Sequence, residues 1–522
     1  MAIFNYAWSA DIFVRSAANT ALQADKNVRA PSVIENCCIV NPTPSNFYAR
    51  WRVESGLVPA WREGEPFPPE RLLQAVWQHQ RLLRDRLRTL DGQPVRVLHP
   101  GFRNLEAGPD FQGAVVQIGD APARSGAVEV DLRAHGWQAH GHDTNPAFRE
   151  VILHAVWEAG GQPRAPLPTL SLHDVLDAPL AELHAWLGTE AAAALPESAR
   201  GHCSAPLRDL PTDEVAALLR QAAQVRLQGK AAELAARARQ AGWEQALWEG
   251  LFRALGYKNN VWPMLRLAEL RPRWQPDAPD ALALQARLLG LGGLLPAELT
   301  RAERGTDLYL RRVWDHWWRE RDAFAEDVLP RELWRFANLR PANHPQRRLA
   351  LASHWLAEGH LPARLEQWLA AGDVGANPEA TLLAALPHAA DEFWSWHWTL
   401  RSPRLPKLQP LVGGQRVTDL GINVVLPWLW ARAAEAGGGQ MQQQVEVRYF
   451  AWPAAEDNAR LKLARQRLLG GAHRQALKTA AAQQGLMQIL RDFCDNSNAV
   501  CDACKFPQLV RDWQAAGPGG AV

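Results

Sequence analysis

Gly126-Ala127-Val128-Glu129-Val130-Asp131-Leu132-Arg133 alternates with a period of two: Val128, Val130 and Leu132 point one way, Glu129, Asp131 and Arg133 the other. The period predicts a strand with one face on a core and the other gathering two acids and a base. Working outward, Phe111 to Ile118 reads as a preceding strand, and Val95 to Leu98 as an earlier one, entered from the Asp91-Gly92 turn. Pro146 to Glu150 holds a short helical turn, and Val151 to Trp157 is apolar enough for a fourth, buried strand. Upstream, Leu72, Leu73, Val76, Trp77, Leu83, Leu87 and Leu90 recur at three- and four-residue steps, which predicts one helix over 68–90 with Pro69 in its first turn. The order is helix, three strands, short helix, strand.

Asp110, behind the unusual pair Gly108-Pro109, stands at the start of the second of these strands, one strand away from Glu129. Carboxylates on adjacent strands suit Mg2+ or Mn2+, hard ions that prefer oxygen and that lower the pKa of an attacking water. Asp110 and Glu129 are the expected ligands, with the Val130 carbonyl as a third. The element order, Pro109-Asp110 and Glu129-x-Asp131 resemble the PD-(D/E)xK nuclease superfamily over residues 69–157. The resemblance implies a small mixed-sheet, restriction-endonuclease-like core and phosphodiester cleavage in DNA or RNA. The superfamily's Lys, two residues after the second acid, is here Asp131, and no Lys occurs between 27 and 229. Arg133, His135 or His140 would then lie near the phosphate, although Arg cannot act as a base at ordinary pH. The alternative is a chain that keeps the fold and binds nucleic acid, or serves as a scaffold, without cutting.

The same region permits a different chemistry. His140-Gly141-His142-Asp143, with His135 and His154, offers imidazole and carboxylate donors for zinc or iron, as in a zinc-dependent hydrolase of a smaller substrate. A third constellation is Cys494, Cys501 and Cys504, spaced Cys-x6-Cys-x2-Cys. Three thiols need a fourth ligand for zinc or an iron-sulfur cluster, and Cys203 is the best-placed candidate; Cys37 and Cys38 are adjacent and fit one ion poorly. Some nucleases of the superfamily named above close their core with one distant Cys and a C-terminal cluster of three, and this layout is similar to theirs.

Over roughly 57–511 the chain also resembles a bacterial family known only as a domain of unknown function. The resemblance rests on Asn104 with Gly108-Pro109-Asp110-Phe111, Gly126-Ala127-Val128-Glu129-Val130, Trp137-Gln138-Ala139-His140-Gly141-His142, Val151-Ile152-Leu153-His154, Arg340-Pro341-Ala342-Asn343 and the C-terminal cysteines. It implies no established activity.

A chain of 522 residues exceeds one core, so two or three domains are expected, and a 47% hydrophobic composition with 24 Trp is that of a folded protein. A formal charge of +2 argues against a surface that grips nucleic acid everywhere, though a local groove is compatible with it. Seven Lys among 57 basic residues make an Arg bias that is compatible with phosphate contacts and is equally what an Arg- and Ala-rich coding bias with solvated charged faces gives. No segment approaches the ~18–20 apolar residues of a membrane span and no secretion signal opens the chain, so no membrane partner and a cytoplasmic location are expected. Six cysteines in this length are too few for a disulfide scaffold.

The predicted fold class is α+β, a nuclease-like mixed-sheet core followed by a large all-helical domain. Its boundaries are a poorly ordered N-terminal extension over 1–56, the nuclease-like domain over 57–204, a helical domain over 205–400, a helical C-terminal region with the Cys cluster over 401–511 and a tail over 512–522. Thr212 is the expected cap of a helix over 215–240; 245–255, 281–289 and 308–324 follow as helices. Gln444 to Phe450 reads as a strand or extended connection, and Asn458 to Cys494 as helix interrupted at Gly470-Gly471. Arg340 to Arg348 reads as a helix entry with solvated arginines or a phosphate-contacting loop, and Trp314, Trp317 and Trp318 as core packing or a stacking platform for bases.

Overall fold

The alternating segment around Glu129 forms the central strand of a mixed sheet because both of its faces are covered. The computed structural model describes residues 46–57, 67–104, 108–158, 167–187, 205–274, 280–300, 308–337, 339–371, 377–386, 390–495 and 504–516, all within the unit Ile39–Val522. Its six strands are β1 (Val95–His99), β2 (Phe102–Arg103), β3 (Phe111–Ile118), β4 (Arg124–Arg133), β5 (Val151–Glu158) and β6 (Thr169–Ser171). They run in the order β1-β3-β4-β5-β6, with β2 also paired to β3. The β1/β3, β2/β3 and β3/β4 pairs are antiparallel, whereas β4/β5 and β5/β6 are parallel. The β2 and β6 segments, of two and three residues, are too short to carry a readable period.

One face of the sheet, with Val128, Val130, Leu153 and Ala155, packs on Leu72, Leu73, Val76 and Trp77 of helix α2 (Glu70–His79). That helix is shorter than its leucine spacing predicts. Gln80 takes a left-handed conformation (φ 50°) and ends it. Leu82 then bridges to Leu176, and Leu83 donates its N–H to Val175; the later leucines serve the sheet edge rather than a helix.

A short N-terminal helix, α1 (Phe47–Glu54), falls within the stretch expected to be an extension. It docks through Tyr48 and Trp51 into a cluster that also holds Leu207, Leu210, Phe493 and Phe506. After α4 (Leu180–Leu187), α5 (Thr212–Ala241) is 30 residues long, about 45 Å at the usual rise. Pro211 rather than Thr212 stands at its N-cap, and the Thr212 hydroxyl meets His473 Nδ1 at 3.0 Å. Its Ala-rich surface is buried on several sides, as expected of a helix surrounded by neighbours. The helices α6 (Trp243–Leu255) and α7 (Val261–Glu269) follow, and the main helical core is built on them. Ala281–Leu291 and Leu308–Glu320 are helices as expected, the latter passing into a 3-10 segment to Asp327.

Two expectations need correction here. Residues 444–450 lie within a helix, Gly439–Ala451, because Val445 and Tyr449, four apart, are the positions it buries. Arg347 and Arg348 are buried, not solvated: Arg347 donates to the carbonyls of Trp394, Gln409 and Pro410, and Arg348 to that of Leu411. Only Arg340 of that stretch is a surface arginine, paired with Glu456. Trp317 fills the space left by Gly290, where a Cβ would come within 2.1 Å of its ring, and Trp314 stacks on Trp318. Among the described residues no helix is long and apolar enough to cross a membrane.

Candidate metal centre

Parallel pairing of β4 with β5 forces the chain to travel back along the sheet after Arg133, and residues 134–150 make that return. They do so with the single turn α3 (Gly136–Ala139) and a 3-10 turn at Pro146–Phe148. Trp137 and Phe148 pack against Ala127 and Val151, so the return covers the face that carries Glu129 and Asp131. Both acids are buried, Glu129 to 7% exposure and Asp131 to 2%.

Asp110 and Glu129 are tied to each other's strands. The Asp110 N–H donates to Glu129 Oε2 at 2.9 Å, and the Val130 N–H donates to Asp110 Oδ2 at 3.1 Å. Gln74 Nε2, from α2, donates to Asp110 Oδ1 at 2.8 Å and is itself held by Arg103 Nη2 at 2.9 Å. Val130 thus contributes its N–H to this arrangement. Glu70, one turn before Gln74, is a fourth acid of the group.

Asp131 is gripped on the other side. His154 Nε2, opposite Glu129 across the β4/β5 ladder, lies 2.8 Å from Asp131 Oδ2, and His140 Nδ1 lies 3.4 Å from Oδ1. His142 Nε2 is 3.3 Å from Glu129 Oε1. Its ring is sandwiched at 3.9 Å on Phe148 and edge-on to Trp137. Both ring nitrogens are buried and make no hydrogen bond among the described residues. One donor atom each from Asp131, His140 and His142 lie within 4.8 Å of one another, a two-imidazole, one-carboxylate set of the kind that suits Mn2+, Fe2+ or Zn2+.

The electrostatics are those of a site short of positive charge. Burial, then the Asp110 carboxylate, pushes the Glu129 carboxyl up to about 8. Burial, with Glu70 adding, pushes Asp110 up to about 6, and Glu70 is raised by burial and by Asp131. Burial pushes the His142 imidazole down. A bound cation would relieve the three acids, since it favours ionised carboxylates, and burial already holds His142 in the neutral form that ligates metal.

The expected residues divide accordingly. Asp110, Glu129, Asp131 and His140 are together, as are His142 and His154. Arg133 lies at the end of β4 with its guanidinium 4.1 Å from the centre of the Phe67 ring, and His135 is an exposed residue at the N-cap of α3. Asp143 is also exposed. Glu70 and Gln74 were not anticipated, and their signal was only the helical spacing that puts both on one side of α2. Cys494 and Cys504 are half-buried against the cluster of Phe493 and Phe506, while Cys203 and Cys501 lie outside the described residues.

A family model described as "Protein of unknown function (DUF2851)" matches residues 70–458, and the chain belongs to that family. No curated protein and no solved structure matches it.

Proposed function

We propose that this DUF2851 chain is a metal-dependent hydrolase with a nuclease-like core that cleaves phosphodiester bonds in DNA or RNA. The observation that carries the reading is the convergence of Asp110 and Glu129, from neighbouring strands, with Asp131, His140 and His142 on one covered face. Asp131, His140 and His142 would hold the ion, and the donor set favours Mn2+ over Mg2+ because imidazole is a poor partner for the harder ion. When bound, the ion supplies a water of lowered pKa and neutralises charge on the phosphate. His154 orients Asp131, Asp110 holds Glu129 through its N–H, and Glu129 accepts the proton of the attacking water. In this reading the ion takes over the charge-steadying role that Lys has in the PD-(D/E)xK pattern.

The test is cleavage of labelled single- and double-stranded DNA and RNA by the purified chain with Mn2+. Cutting that is lost in Asp131→Asn and Glu129→Ala, with folding and nucleic-acid binding kept, supports the proposal. Binding without cutting makes the chain a non-catalytic nucleic-acid protein. The two-imidazole set also favours a second reading, a zinc-dependent hydrolase of a smaller substrate; turnover of small phosphodiesters or esters with Zn2+, and none of nucleic acid, selects it.

The C-terminal cysteines fit a separate, structural ion, zinc or an iron-sulfur cluster. Leu207 and Leu210, a few residues beyond Cys203, share one hydrophobic cluster with Phe493 and Phe506, which flank Cys494 and Cys504. Cys501→Ser should lower the zinc or iron content of the purified chain, and unchanged metal content removes this part of the proposal.

A further inference from the structure

Away from the acid cluster, a cavity of about 320 Å³ opens between the turn after α2 and the helices α5, α6 and α7, with the π-helical turn Gly421–Val425 closing one side. Its volume is that of a small-molecule site, and its wall is densely charged. Most of the charges pair off. Arg81 Nε donates to Asp177 Oδ2 at 2.7 Å, Arg237 grips Glu249 through two bonds of 2.7 Å, Arg253 Nη1 meets Glu233 at 2.7 Å, and Arg84 pairs with Glu269.

Lys230 is the cation left over. Its ammonium donates to neutral amide oxygens, those of Asn423 and, at 3.0 Å, of Gln484. No carboxylate among the described residues stands within ion-pair distance of it. Arg81 adds a second unmet demand: its side chain is 6% exposed, and its Nη2 is buried without an acceptor among the described residues. Burial, with Arg226 adding, holds the Lys230 ammonium well below its usual range. The wall therefore carries one more cation than its acids neutralise, around a space large enough for a guest.

We propose that this cavity binds a compact phosphate-bearing anion, with Lys230 as its counter-ion and Arg81 as a further donor. A phosphate presents three or four acceptor oxygens and carries up to two negative charges, so it suits a wall with several cationic donors better than a chloride or a single carboxylate does. The volume exceeds that of bare phosphate, so a small phosphate ester is the better guest. The inference is independent of the proposed hydrolysis, since none of the acids of the metal centre lines this cavity.

Thermal-shift and calorimetric titrations of the full chain with sodium phosphate and with glycerol phosphate, against sodium chloride at equal ionic strength, test it. Saturable binding and a raised Tm are expected for the wild type. Lys230→Met should weaken binding at least tenfold, whereas Asp131→Asn, at the metal centre, should leave it unchanged. Without phosphate, Lys230→Met should shift the Tm only slightly, because removing an uncompensated charge offsets the loss of the donor to Asn423. If that variant fails to fold, Lys230→Gln, which can still bond the two amides, takes its place. Glycerol phosphate binding tighter than inorganic phosphate identifies an ester site, and the reverse identifies a site for the free ion. No saturable binding in the wild type, or undiminished binding in the Lys230 variants, overturns the proposal.

Discussion

Replacing Glu129 by Gln isolates the strain among the buried acids, because the amide imitates a protonated carboxyl and never acquires its charge. In the fold, burial and then the Asp110 carboxylate carry this group from its usual 4.5 to about 8. An acid with a raised folded value holds its proton more tightly in the folded chain, so its contribution is complete below about pH 4.5 and is lost as the pH rises through about 8. At about 1.4 kcal/mol per tenfold change in proton affinity, this interval corresponds to roughly 4 to 5 kcal/mol for a group acting alone. Asp110, itself pushed to about 6, is one cause of the shift. The two acids therefore titrate as a pair, and a measured loss of about 2 to 4 kcal/mol is expected. The assay is the Tm of wild type and Glu129→Gln, without added divalent ion, followed from about pH 5 to about pH 8.5 and read as the difference between the two, so that other titrating groups cancel. The wild type should lose stability steeply over this range and the variant by less than half as much, with Mn2+ restoring the wild type at the alkaline end. A wild-type profile that is flat, or a variant with the same slope, refutes the reasoning.

Three further substitutions probe the same region. His154→Ala removes the 2.8 Å partner of Asp131 and should weaken Mn2+ binding about 10- to 100-fold by calorimetry; a loss below about twofold would mean that Asp131 is oriented by other groups. Gly136→Ala puts a Cβ 3.1 Å from Asp131 Cγ, close enough to displace the carboxylate slightly, so Mn2+ affinity should fall severalfold while Tm barely moves. Gly126→Ala puts a Cβ 2.4 Å from Ile152 Cγ2 and 2.7 Å from the Glu150 carbonyl oxygen; this overpacking between β4 and β5 should cost about 2 to 3 kcal/mol in denaturant melts.

The sheet was legible where a period ran for several residues. The alternation through β4 and the apolar run of β5 announced themselves, and the same alternation put Glu129 and Asp131 on one side of the sheet. What stayed hidden depended on contacts distant in sequence. The leucines after His79 continue a helical spacing, yet a left-handed Gln80 redirects them to the sheet edge. Val445 to Phe450 has the β-branched and aromatic character of a strand, but tertiary burial of Val445 and Tyr449 decides for a helix. In the site, Glu70 and Gln74 look like ordinary helix-surface residues until α2 meets Asp110. His142 reads as a loop histidine until Trp137 and Phe148 enclose it. Arg347 and Arg348 illustrate the reverse case: a cluster that suggested phosphate is occupied by carbonyls from 394 to 411.

The 30-residue helix α5 contributes to three separate interiors: Leu218 and Leu219 to the one that α1 enters, Ala223 and Leu227 to the main helical one, and Ala236 to the sheet's. Severing the gene near residue 204 would consequently strip a wall from the β-half and leave the remainder with an open seam. Neither fragment should survive expression alone, and a minimal version of the β-half would have to carry this shared beam along with it.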